Sequence, residues 1–193
     1  EKGAAGFTVE QEHVMFPGDA DRETVILREA FTVVARLVDG AYEIDYNTEQ
    51  TNVSKYSLIL PAYRYGGPIA YRGPHHWDQT NSDYLSSEGK TRIDGHTTRS
   101  KWIAMWGAKE SESGHDALTI LSHSDNHDFP QRMRVWPPAS NNGAIFFNYV
   151  PIQETGWEIK PGQISTMRYR LVVHNGRPDS DTLNERWNRY VGE

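Results

Sequence analysis

The sequence predicts an all-β protein built as an antiparallel sandwich, with one short C-terminal helix. Three observations carry that prediction. Hydrophobicity alternates with a period of two along several segments, which sorts side chains onto the two faces of an extended chain. Clusters of Gly, Pro, Asn, Asp and Ser separate those segments and read as turns. Strand–helix–strand alternation is missing, which argues against a parallel sheet.

Along the chain, Val25, Leu27, Phe31, Val33, Ala35 and Leu37 fall on one face, and Arg28, Thr32 and Arg36 on the other. Glu29 interrupts the apolar face, so a bulge or an edge position is expected there. Val38-Asp39-Gly40-Ala41 carries a tight hairpin signal. Tyr42, Ile44 and Tyr46 alternate with Glu43, Asp45 and Asn47; Tyr56, Leu58 and Leu60 alternate with Ser57 and Ile59. Residues 102–106, 117–122, 133–136 and 144–150 are shorter runs of aromatic and branched side chains. Lys160-Pro161-Gly162-Gln163 places Pro and Gly at the centre of a type II turn. Met167, Tyr169, Leu171 and Val173 alternate with polar residues. From Asp179 the period changes. Leu183, Trp187, Tyr190 and Val191 recur at helical spacing after a capping cluster of Asp179, Ser180 and Asp181. About ten strands and one helix then make a jelly-roll or a mutarotase-like supersandwich. Residues 1–193 read as a single domain.

Composition narrows the function. Hydrophobic residues at 37% and charged residues at 24% describe a globular chain. The longest apolar run, residues 25–38, is broken by Arg28, Glu29 and Arg36, so membrane insertion is not expected. Twenty basic against 26 acidic residues give a net charge of −6, which argues against a nucleic-acid partner. The absence of cysteine removes thiolate chemistry and disulfides. Glu1 stands where an initiator Met would be, so the chain reads as processed or trimmed, with an upstream segment expected. A periplasmic or secreted location is favoured.

Unusual residues crowd the middle. His13 is the one histidine in the first 74 residues, whereas His75, His76, His96, His115, His123 and His127 follow closely, and all six Trp lie at position 77 or later. Residues 66–99 and 122–132 also have the composition of long loops, where a rigid scaffold tends to carry function. Three constellations stand out. Arg72-Gly73-Pro74-His75-His76-Trp77-Asp78 offers a guanidinium, two imidazoles, a carboxylate and an aromatic platform, or else a loop with an Arg72–Asp78 ion pair. In Arg92-Ile93-Asp94-Gly95-His96-Thr97-Thr98-Arg99 the Asp94 carboxylate can orient His96 for acid–base work, or Asp94-Gly95 is a plain turn. In His123-Ser124-Asp125-Asn126-His127 an extended chain would set His123, Asp125 and His127 on one face as metal ligands; a polar turn is the competing reading. The pairs Trp102/Trp106 and Phe146/Phe147 read as core. No P-loop, dinucleotide fingerprint, nucleophile elbow or zinc-protease helix is present, so no nucleotide cofactor is expected, and a divalent metal is the one cofactor the histidines admit.

Several stretches together resemble one bacterial family. They are Gly67-Pro68-Ile69-Ala70-Tyr71-Arg72-Gly73, Asp94-Gly95-His96-Thr97-Thr98-Arg99-Ser100-Lys101-Trp102, the His123–His127 stretch with Arg134-Val135-Trp136, Phe146-Phe147-Asn148, Pro161-Gly162, and Tyr169-Arg170-Leu171-Val172-Val173-His174. This pattern, over roughly residues 55–191, resembles the PmoA-like family of unknown function, often labelled a methane oxygenase subunit. That label does not suit a chain without spanning helices. The resemblance implies a β-sandwich and a carbohydrate setting. It also implies a His-rich segment upstream of the matched part, which this chain lacks.

The leading expectation is a carbohydrate-active protein doing epimerase-like, mutarotase-like or lyase chemistry on a sugar or sugar acid. His75, His76, His96 and Asp94 would move protons, while Arg72, Trp77, Asp78, Arg99 and Glu154 would hold the substrate. Hydrolysis is less favoured because no acidic pair stands out. The alternatives are a non-catalytic glycan-binding module using Trp77, Tyr84 and Arg72, or a histidine-ligated metal site.

Overall fold

The computed structural model describes residues 3–16, 18 and 23–192. Its strands are β1 (Ala4–Met15), β2 (Thr24–Val38), β3 (Ala41–Asn52), β4 (Leu58–Leu60), β5 (Ile69–Arg72) and β6 (Ser82–Ser86). They continue with β7 (Trp102–Ala108), β8 (His115–Ser122), β9 (Met133–Val135), β10 (Phe146–Tyr149), β11 (Trp157–Ile159) and β12 (Ile164–Asn175), before helix α1 (Ser180–Val191). Every pairing is antiparallel. Seven strands form one sheet in the order β1-β2-β3-β12-β8-β7-β6; β5-β10-β9 and β11-β4 form two small ones. No helix among the described residues is long and apolar enough to cross a membrane.

The small β5-β10-β9 sheet packs on one face of the large sheet and α1 on the other. Ile103, Met105, Ile120, Met167 and Tyr169 meet Ile69, Met133, Val135, Phe147 and Tyr149 in the first core. Trp102, Ala104, Leu121 and Val172, the opposite phase of the same strands, meet Leu183 and Tyr190 of α1 in the second. Covering both faces explains why 117–122 is a nearly continuous apolar run rather than an alternating one.

Local signals set the ends of the elements. Asp39 and Gly40 both sit at positive φ (51° and 74°), the mirror-image turn that matches the twist of a two-residue hairpin between β2 and β3. The Gln163 amide donates to the Lys160 carbonyl at 2.9 Å, with Gly162 at φ 73°, closing the expected turn between β11 and β12. Asp179 caps α1 by accepting from the Thr182 amide at 2.8 Å.

One expectation changes. Glu29 is neither at an edge nor in a bulge. It pairs in register with Gln11 and Gln50 in a strand flanked on both sides, and is 8% exposed. The register shift falls nearby, between His13 and Val14 of β1. Glu43 and Asp45 lie beneath α1. Arg170 reaches Asp45 at 2.6 Å and Glu43 at 3.4 Å; Arg36 also bonds Asp45, and Arg186 of the helix donates to Glu43 at 2.7 Å. A polar strand face is buried here because the helix brings its own cation.

Removing one partner from a buried ionic network leaves uncompensated charge. Arg170→Met should therefore lower stability by about 3–5 kcal/mol in urea denaturation. A loss comparable to that of a surface substitution would show that the network is neutral to folding.

Candidate functional site

The outer face of the three-stranded sheet gathers the most chemistry. Strand alternation sends Met133 and Val135 of β9, and Phe147 and Tyr149 of β10, into the core. Arg134, Phe146 and Arg72 take the opposite phase. Four rings form a row across this face: Trp136 and Phe146 with centroids 4.8 Å apart, Phe146 and Tyr65 at 5.9 Å, and Tyr65 and Tyr63 at 6.1 Å. Guanidiniums lie over them. Arg72 is 5.0 Å from the Trp136 centroid, Arg134 is 4.4 Å from that of Tyr65, and Arg64 is 5.4 Å from Tyr65.

Arg134 is the hub. It donates to the Tyr65 hydroxyl at 3.0 Å and approaches His96 Nε2 at 3.4 Å. The bond from Arg134 holds the Tyr65 phenol below its ordinary value, because the phenolate is the better acceptor. Burial lowers the His96 value, and the Arg134 cation lowers it further, so this imidazole favours its neutral form. One cation thus favours a base on either side of itself.

Two loops deliver those partners. The Tyr63 amide bonds the Ile152 carbonyl at 2.9 Å, and the chain then crosses β10. A Cβ at Gly67 would lie 1.6 Å from the Tyr149 carbonyl, so only glycine lets the loop approach closely enough to bring Tyr65 onto the face. The His96 loop docks on β9, with the Thr97 amide on the Met133 carbonyl at 2.8 Å and the Met133 amide on the Thr98 carbonyl at 2.9 Å. Arg132 fastens it, donating to the Thr97 carbonyl at 2.8 Å and pairing with Glu154 at 2.6 Å.

Of the residues expected from sequence, Arg72, His96 and Glu154 belong to this face, and the rest are placed elsewhere. Asp94 does not orient His96; its carboxylate accepts from the Thr91 amide at 2.9 Å and Lys90 Nζ at 3.0 Å, closing its own turn. Asp78 accepts from the Thr80 amide and hydroxyl, both at 2.7 Å, and makes no pair with Arg72. Arg99 is committed to the 128–130 turn, through the Asp128 carbonyl at 2.9 Å and carboxylate at 3.0 Å. His75 and His76 sit edge-on to each other at 5.8 Å in the turn after β5, with no hydrogen bond or ring contact to Arg72 or His96 among the described residues.

Trp77 is not a platform. It is 4% exposed, its indole packs on Gly107 and its Nε1 donates to the Ala108 carbonyl at 3.1 Å. Tyr84 is equally buried and holds β10 through the Phe146 carbonyl at 2.6 Å. The segment 123–127 is a turn rather than a strand, so its three candidate ligands do not share a face. His123 packs edge-on against Tyr190, Asp125 pairs with Arg168, and His127 stacks on Trp157 at 4.1 Å. No group of three such side chains among the described residues is placed to hold a metal ion.

Tyr63, Tyr65, Arg132, Arg134, Trp136 and Phe146 did not stand out as site residues in the sequence. The signal for Arg132, Arg134 and Trp136 was a phase opposite to that of Met133 and Val135; Phe146 read as core beside Phe147, and nothing local marked Tyr63 or Tyr65.

The chain belongs to a family of unknown function, DUF6807. Its model matches residues 1–188. This corrects the PmoA-like resemblance, since no model of that family matches. No curated protein matches the chain. Among solved structures, a polysaccharide lyase is similar at 15% identity and a TM-score of 0.35, over 91% of this chain and 26% of that one. The DUF6807 chain therefore spans about a quarter of that protein's length.

Replacing Arg134 by Gln removes the shared cation. The ionisation midpoints of both His96 and Tyr65 should then rise, because the protonated imidazole loses a repulsive neighbour and the phenolate loses its donor. Side-chain NMR titration of His96 and of ring-labelled tyrosine checks this; unmoved midpoints would detach Arg134 from both groups.

Proposed function

We propose that the outer face of β5-β10-β9 binds an acidic carbohydrate and removes a proton next to its carboxylate. The observation that carries this reading is Arg134, one guanidinium held between a phenol and an imidazole beside a row of rings, of which Tyr63 is exposed and Tyr65, Phe146 and Trp136 are half-buried. Sugar rings stack on aromatic faces through their C–H surfaces, and carboxylates pair with guanidiniums. Arg72 and Arg134 make no ion pair with a carboxylate among the described residues, although the chain is acidic overall.

In the proposed reaction Arg72 anchors the substrate carboxylate. Arg134 disperses the negative charge that grows on it as the neighbouring C–H bond breaks. Tyr65, as phenolate, or neutral His96 takes that proton, a role worth about 10²–10⁴-fold in rate. The intermediate then either expels its β-substituent, which leaves as an alcohol after taking a proton from water, giving an unsaturated sugar, or takes a proton from water on the opposite side while the first proton passes from the base to solvent, giving the epimer. The competing reading is a glycan-binding module without turnover. The length of the ring row, with Tyr63 exposed and the other three half-buried, favours it, because it spreads stacking surface beyond the reacting residues.

Uronate oligosaccharides separate the two. In deuterated buffer, catalysis yields either deuterium at the carbon next to the carboxylate or an ultraviolet-absorbing unsaturated product; a binder yields neither. Calorimetry should show Arg72→Ala and Trp136→Ala each weakening binding by about tenfold, with Asp94→Ala unchanged. Affinity should rise as pH falls through the His96 range, which lies below that of an ordinary histidine, because the imidazolium adds positive charge while the arginines stay constant. Equal affinity for neutral and acidic oligosaccharides would sink the acidic-substrate reading.

A further inference from the structure

A second pocket lies on the helix side of the large sheet, beside the segment that leads into α1. Trp106 follows Trp102 and Ala104 on one face of β7. Those two pack against the helix, whereas Trp106 belongs to neither core and is half-buried. The indole N–H groups of Trp77, Trp102 and Trp187 donate to protein acceptors at 3.1, 2.9 and 2.9 Å. That of Trp106 has no partner among the described residues. Asp83 of β6 stands directly opposite Trp106 in the ladder, which sets the two side chains next to each other on this face. One carboxylate oxygen of Asp83 accepts from the Tyr84 amide at 2.7 Å and the Arg92 amide at 3.3 Å. The other oxygen has no partner among the described residues.

A cation hangs over the same space. The Gly176 amide bonds the His115 carbonyl at 2.7 Å, which ties the segment after β12 to the start of β8. Arg177 then reaches back, its Nε 3.4 Å from His115 Nε2. Its two terminal nitrogens meet no acceptor among the described residues. These groups line a pocket of about 420 Å³. Thr80, Asn81 and Ser82 also line it, but they bond within their own loop, to Asp78, to the His76 carbonyl and to the Asp78 carbonyl respectively. Gln79 stands exposed at the rim.

The lining selects the ligand. An apolar molecule would strand an open carboxylate and an open guanidinium. An anion would gain Arg177 but face Asp83, and a cation the reverse. A neutral polyol satisfies both, because each hydroxyl donates and accepts. Trp106 adds a demand for an apolar face. A pyranose with equatorial hydroxyls meets both requirements, with polar groups around its rim and C–H bonds on its flat sides. The volume admits one or two such rings.

We propose that this pocket binds a neutral sugar, one ring face lying on Trp106, with adjacent hydroxyls donating to Asp83 and accepting from Arg177. It is separate from the arginine–aromatic face, with the large sheet between them, and does not depend on the reading given to that face.

The test is NMR of the full chain labelled with nitrogen-15 at tryptophan, with methyl β-glucoside and cellobiose as probes. The Trp106 indole N–H, assigned from Trp106→Phe, should shift saturably with both. Arg177→Ala, at an exposed position, and Asp83→Asn should each weaken binding by about tenfold. Circular dichroism guards against loss of fold in Asp83→Asn, and Arg177→Ala gives an independent readout if that variant unfolds. The Trp136 signal reads the outer face separately, so a neutral sugar that moves Trp106 alone supports this pocket and leaves the acidic-substrate reading intact. The proposal is overturned if neither sugar moves the Trp106 signal, if both move only Trp136, or if Arg177→Ala binds as wild type does. It is also overturned if glucuronate or zwitterionic L-serine saturates Trp106 at lower concentration than methyl β-glucoside, since the pocket would then select charge rather than hydroxyls.

Discussion

The middle of the large sheet has to be covered on both faces, and the rest of the architecture follows from that. Strands β7, β8 and β12 present Ile103, Met105, Ile120 and Tyr169 on one side and Trp102, Ala104, Leu121 and Val172 on the other. Fully burying one such large apolar side chain contributes about 1.5–3 kcal/mol, so leaving either face wet would forfeit much of the net stability of a domain. The three-stranded sheet covers one side and α1 the other. Once the inward positions of β5, β10 and β9 are committed to the core, strand geometry aims the intervening ones at solvent. The candidate site occupies those positions.

Arginine has opposite uses on the two sides of the molecule. Beneath α1, Arg36, Arg170 and Arg186 converge on Glu43 and Asp45, and each of the three is ion-paired within the protein. On the outer face of the small sheet, Arg72 and Arg134 lie against rings instead. Stacking on an aromatic face holds a guanidinium in place without neutralising it. The outer face keeps a positive potential available to a ligand while the chain as a whole carries −6.

Much of the fold could be read from the sequence because the signals were local. The Asp39-Gly40 turn, the Pro161-Gly162 turn and the Asp179 cap each depend on a few adjacent residues with a fixed backbone requirement. Glu29 was misplaced because what keeps it buried comes from other strands: His13 lies 16 positions away, and Thr48 and Gln50 belong to β3. The alternation of Tyr42, Ile44 and Tyr46 with Glu43 and Asp45 does not say which phase is buried, for the same kind of reason, since Arg186 reaches Glu43 from 143 positions away. Trp77 misled because its neighbours in sequence are polar, whereas its neighbours in space are Gly107 and Ala108.

The site was less legible than the fold because it is assembled almost wholly from distant parts. Arg134 meets Tyr65 across 69 positions and His96 across 38. Pairing of β5 and β9 on either side of β10 places these segments together, and no motif records that adjacency. Two of the histidine-rich stretches that drew attention, 75–76 and 123–127, are turns whose side chains serve local structure, while the third supplies His96 alone. What selects His96 is its loop docking on β9 through Met133, which sets its imidazole 3.4 Å from an arginine. A histidine becomes a candidate base here through the backbone bonds that hold its loop against that arginine, and an abundance of histidines elsewhere does not replace them.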